Sequence, residues 1–379
     1  MIKRKEDVEP PTFDRLYYSL QGMKASFLTA CRPIIGLDGC FLKTVHGGQL
    51  LVAIGRDGND NMVPIALAVV QVENGENWTW SLRELLDDIG GLGENKWTFI
   101  SDRQKGLIEA LKEIVPDSEH RYCLRHMYQN IKKKYRGVEL KGLFWKVGCT
   151  ANKFDFENYM KLMAEADPKV NPTYETASEW LQKIPAEHWA GSYFKTDCLS
   201  DVVVNNLCES FNSYILGARD KSIITMLECI RNKLMKRMQQ KKAGMEKYVG
   251  DICPNILRRI NKNQKISRSY YAFYSGNQEY QVNCLSAQCV FGQYVVHLSK
   301  RTCTCGMFQL CGYPCSHACT SIGQERQKIE DFVHKYYSKM EYLRTYSHVI
   351  HAVPGQEHYF KTQYQPLNAS VYRKQKGRP

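Results

Sequence analysis

Trp97-Thr98-Phe99-Ile100-Ser101-Asp102 is the stretch whose reading decides the fold. It is a short apolar run, rich in strand-forming residues, that ends on a carboxylate. The next segment, Gln104–Val115, has helical periodicity and is stopped by Pro116. A buried strand feeding a helix is the building unit of a sheet covered by helices. Upstream, Trp78, Leu82, Leu85, Leu86 and Ile89 share one face of a helix predicted over Asn77–Ile89, which Gly90-Gly91-Leu92-Gly93 ends. Further upstream, Gln49–Gly55 and Val63–Val72 read as strands joined by Arg56-Asp57-Gly58-Asn59-Asp60-Asn61, where Asp-Gly supplies hairpin geometry. Arg32–Leu37 reads as the strand before them and ends on Asp38, giving three antiparallel strands. Downstream, Glu119–Cys123 is a fifth strand and Leu124–Tyr135 a basic helix.

The resulting order, β-β-β-α-β-α-β-α, is that of the ribonuclease H-like fold, whose central strands set acidic residues side by side at one edge of the sheet. The predicted class is therefore α/β. Residues 1–30 are expected to be a frayed lead-in to a helix, and 31–250 a core that includes a long helical insertion within 137–250. Residues 278–302 return to strand-like alternation and open a small metal module over 278–325. Residues 354–379 are expected to be a basic, disordered tail, ending Lys376-Gly377-Arg378-Pro379.

The 379 residues suffice for two or three domains, and 43% hydrophobic with 24% charged residues is an ordinary globular composition. No stretch approaches the ~20 continuous apolar residues of a membrane span, and no apolar segment follows Met1-Ile2-Lys3-Arg4-Lys5, so neither a membrane protein nor a secreted one is expected. A formal charge of +13 favours polyanionic partners through counterion release. The 15 cysteines are spread along the chain, and a reducing compartment is the expectation.

Cys303-Thr304-Cys305 is followed, nine residues on, by Cys315-Ser316-His317. Two tight pairs of thiolate and imidazole donors suit a four-coordinate structural zinc ion. Cys311 and Cys319 are spare thiols in the same stretch. Such a module has little core of its own, so metal binding is expected to drive its folding while the rest of the chain stays independent.

Asp38 and Asp102 each end a predicted strand, and Glu209 lies in Asn205-Asn206-Leu207-Cys208-Glu209-Ser210-Phe211-Asn212. Three carboxylates of this kind suit magnesium or manganese and the phosphodiester chemistry these ions support. Each also has an ordinary alternative: Asp102 as a helix N-cap, Asp38 as a turn residue before Gly39, Glu209 as a solvated helix residue. Cys123 and His126 are spaced to share a helix face. They read either as packed structure or as neighbours of the active centre. Arg231, Lys233, Lys236, Arg237, Lys241 and Lys242 make a basic helix, read as a solvated face or as a contact to the DNA backbone.

Taken together these segments resemble the Mutator-like element transposases of plants and their domesticated relatives. Gly36-Leu37-Asp38-Gly39-Cys40-Phe41-Leu42-Lys43 is similar to the family's first aspartate motif, and Ile100-Ser101-Asp102-Arg103-Gln104-Lys105-Gly106-Leu107 to its second. The Asn-Asn-x-x-Glu-Ser-x-Asn segment carries Glu209, Cys123-x-x-His126 matches a Cys/His pair of the group, and the late cluster resembles a SWIM zinc finger. The resemblance spans about residues 12 to 345.

It implies a DDE catalytic core of ribonuclease H-like fold with a helical insertion. Asp38, Asp102 and Glu209 would be its metal ligands, cutting and transferring DNA strands at element ends without a covalent protein–DNA intermediate. It further implies DNA and a second copy of the chain as partners, zinc held by Cys303, Cys305, Cys315 and His317, catalytic magnesium or manganese, and a nuclear location. The short lead before the first strand is expected to mark a truncated or domesticated copy. The rival reading is a non-catalytic zinc-finger transcription regulator resembling those of the far-red response.

Overall fold

The computed structural model describes residues 2–5, 11–91, 96–285 and 292–368. Its central element is a seven-stranded sheet built from Ile2–Lys5 (β1), Thr12–Ser19 (β2), Arg32–Phe41 (β3), Gln49–Arg56 (β4), Met62–Val70 (β5), Thr98–Ser101 (β6) and Glu119–Tyr122 (β7). The strand order is β1-β2-β5-β4-β3-β6-β7. β1 through β3 pair antiparallel, whereas β3 with β6 and β6 with β7 pair parallel. Every residue of β5, and all of β4 but Arg56, is buried. That is why these two strands read as continuous apolar runs rather than alternating ones.

Helices Gln21–Ala30 (α1), Gly75–Asp88 (α2), Lys105–Ile114 (α3) and Leu124–Lys134 (α4) accompany the sheet. From Arg32 to Lys134 the order of elements is the one read from the sequence. The lead-in differs. Thr12–Ser19 is a strand hydrogen-bonded to β5, with Leu16 opposite Val69 and Tyr18 opposite Leu67. Asp14-Arg15 interrupts its apolar pattern and every residue is only half-buried, so the alternation that marks a strand is lost.

Val138–Cys149 (α5), Lys153–Ala166 (α6) and Ala177–Gln182 (α7) form the insertion, and share an apolar cluster with α4 through Met127, Phe144, Met163, Leu181 and Trp189. A capping box starts α7: Thr176 accepts from the Glu179 N–H, and the Glu179 carboxylate accepts from the Thr176 N–H. The chain then returns to the sheet as Asn206–Tyr214 (α8), which lies across β3, β4 and β5. Ile223–Glu246 (α9) and Pro254–Ser267 (α10) follow.

A second, four-stranded antiparallel sheet comprises Tyr270–Gly276 (β8), Glu279–Cys284 (β9), Gln293–His297 (β10) and Thr302–Cys303 (β11), in the order β11-β10-β9-β8. Met307–Cys311 (α11), Ser316–Gln324 (α12) and Lys339–Thr345 (α13) complete the described elements longer than a single 3-10 turn. Among the described residues this second sheet has no separate core. Tyr280, Val282, Phe308 and Ile322 continue the same apolar cluster as Leu51, Val52 and Phe99 of the large sheet, and Leu310 joins the cluster of the insertion. The apolar residues around the expected metal module thus pack continuously with those of the large sheet.

The β4–β5 connection is also more than a surface turn. Asp57 is fully buried, accepts from the N–H groups of Asn59 (2.8 Å) and Asn61 (2.7 Å), and takes the Tyr346 hydroxyl at 2.8 Å. Despite its burial, Asp60 is held well below the usual carboxylate range by Arg32, Arg56 and Arg259. A Cβ on Gly58 would lie 2.0 Å from the Tyr336 carbonyl oxygen, so the Asp-Gly pair also serves the close approach of the C-terminal segment. Residues 354–368 are largely exposed, with Asn368 bridged to Thr12. The rest of the expected basic tail, 369–379 with Lys376 and Arg378, lies outside the described residues.

Candidate functional site

Two sites emerge, one beside Asp38 of β3 and the end of β6 and one between β11 and α12. β3 does not stop at Asp38 as expected: it continues to Phe41, with Asp38 opposite Val52 and Gly39 opposite Leu51, so Asp38 is a strand residue and not a turn residue. At the first, Ile34, Ile35 and Gly36 pair with Thr98, Phe99 and Ile100 in parallel register. Continuing two residues brings Asp38 level with Asp102, and residues in register on parallel strands share a face. The carboxyl ends of such strands are where open α/β sheets bind ligands.

Burial, and then the negative charge of Asp102, push the Asp38 carboxyl up to about 7. The Asn212 amide donates to Asp38 Oδ2 at 2.9 Å. Asp102 Oδ1 accepts the Gln104 N–H at 3.1 Å, and the cap of α3 is Gln104 itself, whose side chain takes the Leu107 N–H. Asp102 is thus relieved of the N-cap duty its position allowed.

The segment around Glu209 is held against β3 by its asparagines. Asn205 donates its side-chain amide to the Leu37 carbonyl at 2.8 Å and its N–H to the Cys123 thiol at 3.3 Å. Gly36 makes this possible, since a Cβ there would sit 2.5 Å from Asn205 Oδ1. Glu209 precedes Asn212 by one turn of α8 and so faces the same way, but its carboxylate is ion-paired with Arg125. Asp38, Asp102 and Glu209 do not form a tight donor group among the described residues.

Cys123 sits at the N-terminal boundary of α4 without a side-chain cap bond, and His126 lies one turn on. Hydrogen bonding with Cys123 raises His126 to about 9, and the charges of Asp102 and Asp38 add to this. Although burial opposes it, hydrogen bonds with His126 and Asn205 pull the Cys123 thiol down. The His126 imidazole thus gains its charge readily beside the two acidic side chains. The structure gives roles to three further residues: Asn205 and Asn212, which flank Glu209, and Glu73. The Glu73 carboxylate would stand 2.8–3.0 Å from a Cβ on Gly39, and its charge also reaches Asp38. The two asparagines were legible as part of the motif; Glu73 carried no local signal.

Most cations of α9 are engaged within the fold. Arg231 is buried and paired with Glu228 at 2.9 Å. Lys233 donates to the Tyr214 carbonyl at 3.0 Å, Arg237 lies 5.8 Å from the Tyr214 ring, and Lys241 donates to Asn61 at 2.6 Å. Lys236 is exposed and Lys242 half-buried.

At the second site, one donor atom from each of Cys303, Cys305, Cys315 and His317 lies within 4.8 Å of every other. β11 carries Cys303, and the left-handed Gly306 (φ 80°) turns the chain after Cys305. Cys315 caps α12 through the Ala318 N–H at 3.5 Å, which sets His317 on the first turn.

His317 Nδ1 stands 3.6 Å from Cys303 Sγ and 4.0 Å from Cys315 Sγ. Bonds of about 2.3 Å to sulfur and 2.0–2.1 Å to nitrogen put the donors of a tetrahedral zinc roughly 3.5–3.8 Å apart, close to these separations. The imidazole is stacked on Tyr294 at 3.7 Å and meets the edge of Tyr270 at 4.7 Å. Hydrogen bonding with Cys303 and Cys305 draws the Cys315 thiol down, while hydrogen bonding with Cys303 and Cys315 pushes Cys305 up, so one thiolate forms at its neighbours' expense. A bound cation removes that conflict. Cys311 and Cys319 are buried free thiols outside the cluster.

No helix among the described residues is long and apolar enough to cross a membrane. A comparison with curated proteins returns no match. Residues 34–130 match the family model of the MULE transposase domain, and residues 294–323 match that of the SWIM zinc finger. The first match spans Asp38, Asp102, Cys123 and His126, the second holds all four clustered donors, and this pairing supports a MULE-type transposase with a zinc-binding finger.

Proposed function

We propose that this chain is a transposase-derived, DNA-processing protein with a ribonuclease H-like DDE core, in which Asp38, Asp102 and Glu209 serve metal-dependent cleavage and transfer of DNA strands. The observation that carries this reading is the parallel register of β3 and β6. It sets Asp38 beside Asp102 and raises the Asp38 carboxyl to about 7. Two carboxylates level with each other on neighbouring parallel segments are oxygen donors that a hard divalent cation would satisfy. Magnesium or manganese bound there would supply an activated water and stabilise the leaving oxygen.

The chain's own residues do the rest. Asn212 orients the Asp38 carboxylate, Asn205 ties α8 to β3, and the His126 imidazolium offers positive charge to a phosphate oxygen. Asp102→Asn keeps the size of the side chain and removes its charge. In a cleavage assay on candidate element ends with magnesium or manganese, it is expected to abolish strand cleavage and leave DNA binding intact. A wild-type protein that binds these ends yet never cuts them overturns the catalytic reading.

One observation favours a second reading. The Glu209 carboxylate is paired with Arg125, and the three acids are not gathered into a tight group. A domesticated, non-catalytic DNA-binding regulator would keep such a pair permanently. DNA as partner, assembly of copies on it and a nuclear location belong to both readings.

A further inference from the structure

The outer face of the four-stranded sheet is built like a platform for unpaired bases. Its inner face packs Tyr280, Val282 and Val296 into the core. On the outer face the cross-strand register makes two rows. Tyr271, Asn283 and Gln293 form one; Phe273, Gln281 and Val295 form the other, which Thr304 extends between the two cysteines of the first pair. Tyr271 is 38% exposed and Phe273 55%, and their rings meet edge to face at 5.2 Å. β8, which carries both rings, is the open edge of the sheet.

The polar groups of this face are amides rather than charges. Gln281 Nε2 donates to Asn283 Oδ1 at 3.3 Å, and Asn283 lies 3.5 Å from the Tyr271 hydroxyl. Among the described residues its acid is Glu279, at the far end, occupied by His297 at 3.2 Å. α10 runs directly into β8 and contains no carboxylate, while Lys262, Lys265 and Arg268 stand exposed at three-residue steps along the approach to that strand. Exposed rings for stacking, amides for base edges and a neighbouring row of cations for phosphates are the three parts of a single-strand binding surface. The far edge of the sheet is fixed by the cysteine–histidine cluster and by Asn152, which donates to the Thr304 carbonyl at 2.5 Å.

We infer that the outer face of β8–β10 binds single-stranded DNA, stacking unpaired bases on Tyr271 and Phe273 and holding their phosphates with Lys262, Lys265 and Arg268. This deepens the nucleic-acid reading above and does not depend on the carboxylates. A protein that separates or cuts strands exposes such bases.

The test is fluorescence anisotropy of the full, zinc-loaded chain with labelled oligothymidylate and with a labelled duplex. Tyr271→Ala/Phe273→Ala is expected to weaken single-strand binding at least about fivefold per ring, while duplex binding, zinc content and melting temperature stay unchanged. Lys265→Ala should flatten the salt dependence of single-strand binding by about 0.7 in log–log slope. Phe273→Trp should keep the affinity and show its indole emission quenched on binding.

Equal single-strand affinity in the double alanine variant, or an unquenched Phe273→Trp, overturns the inference while leaving the broader reading intact. Failure of the wild-type chain to bind DNA in either form overturns both. Binding of a peptide strand along β8 without any single-strand affinity would make the face a protein-docking edge instead, and also overturns it.

Discussion

Arg125, on α4, is ion-paired with Glu209, on α8, and the pair is only partly buried, with side-chain exposures of 46% and 33%. Pairs this exposed contribute about 0–1 kcal/mol, so a divalent cation can exchange for the guanidinium at little cost. Arg125→Ala is therefore expected to change stability by less than about 1 kcal/mol and to strengthen magnesium or manganese binding several-fold in calorimetric titration. Glu209→Gln should remove strand cleavage. Unchanged metal affinity in Arg125→Ala would show that Glu209 is not waiting for a cation.

The raised Asp38 carboxyl makes a pH prediction with a definite sign. Its ordinary value is 3.8 and its folded value about 7, because burial and Asp102 disfavour the charge. Between these values the folded chain holds the extra proton, so stability falls as pH rises through that window. Without divalent metal, Asp38→Asn should therefore be more stable than the wild type at pH 7.5, by on the order of 1–3 kcal/mol. The gain should shrink towards pH 4. Added magnesium should stabilise the wild type and leave Asp38→Asn unmoved. Thermal melts across pH, with and without metal, check both, and a variant less stable than wild type at every pH would refute the burial argument.

Mass spectrometry of the native chain should find about one zinc ion per molecule, retained in Cys311→Ser and Cys319→Ser and lost in Cys315→Ser. Because Phe308 and Ile322 share the apolar cluster of the large sheet, losing zinc should lower the main melting transition itself. A core transition at the wild-type temperature in Cys315→Ser would mean that the finger unfolds alone.

Gly306 couples the finger to the insertion. Its φ is 80°, and a Cβ would lie 2.1 Å from the Ala151 carbonyl oxygen. Left-handed strain alone costs about 1–2 kcal/mol, and the clash adds to it. Gly306→Ala should destabilise the chain by more than that and weaken zinc retention, whereas Gly244→Ala, where a Cβ meets nothing, should be neutral or stabilising. Denaturant melts of the two variants make the comparison.

The sequence by itself determined what depends on neighbours along the chain. The apolar run ending at Asp102, the helix between Trp78 and Ile89, and the two-plus-two spacing of Cys303, Cys305, Cys315 and His317 are local patterns, and the structure keeps each of them, whereas the strand expected to end at Asp38 runs on to Phe41 because Gly39, Cys40 and Phe41 also pair with β4. Only the tertiary structure decided what depends on who arrives from a distance. The register of β3 with β6 gave Asp38 its neighbour, and α8 brought Asn212 to it from 174 positions away. Arg125 reached Glu209, and Glu73 came to Gly39 from the far end of β5. The cations of α9 looked like a solvated stripe, yet Tyr214, Glu228 and Asn61 claimed them. Periodicity reports which face of a helix is apolar; it carries no information on which partner will meet a charge. Thr12–Ser19 was missed for a related reason. A half-buried strand next to the sheet edge has no strict alternation to display, and its place is set by hydrogen bonds to β5 that form only once the sheet exists.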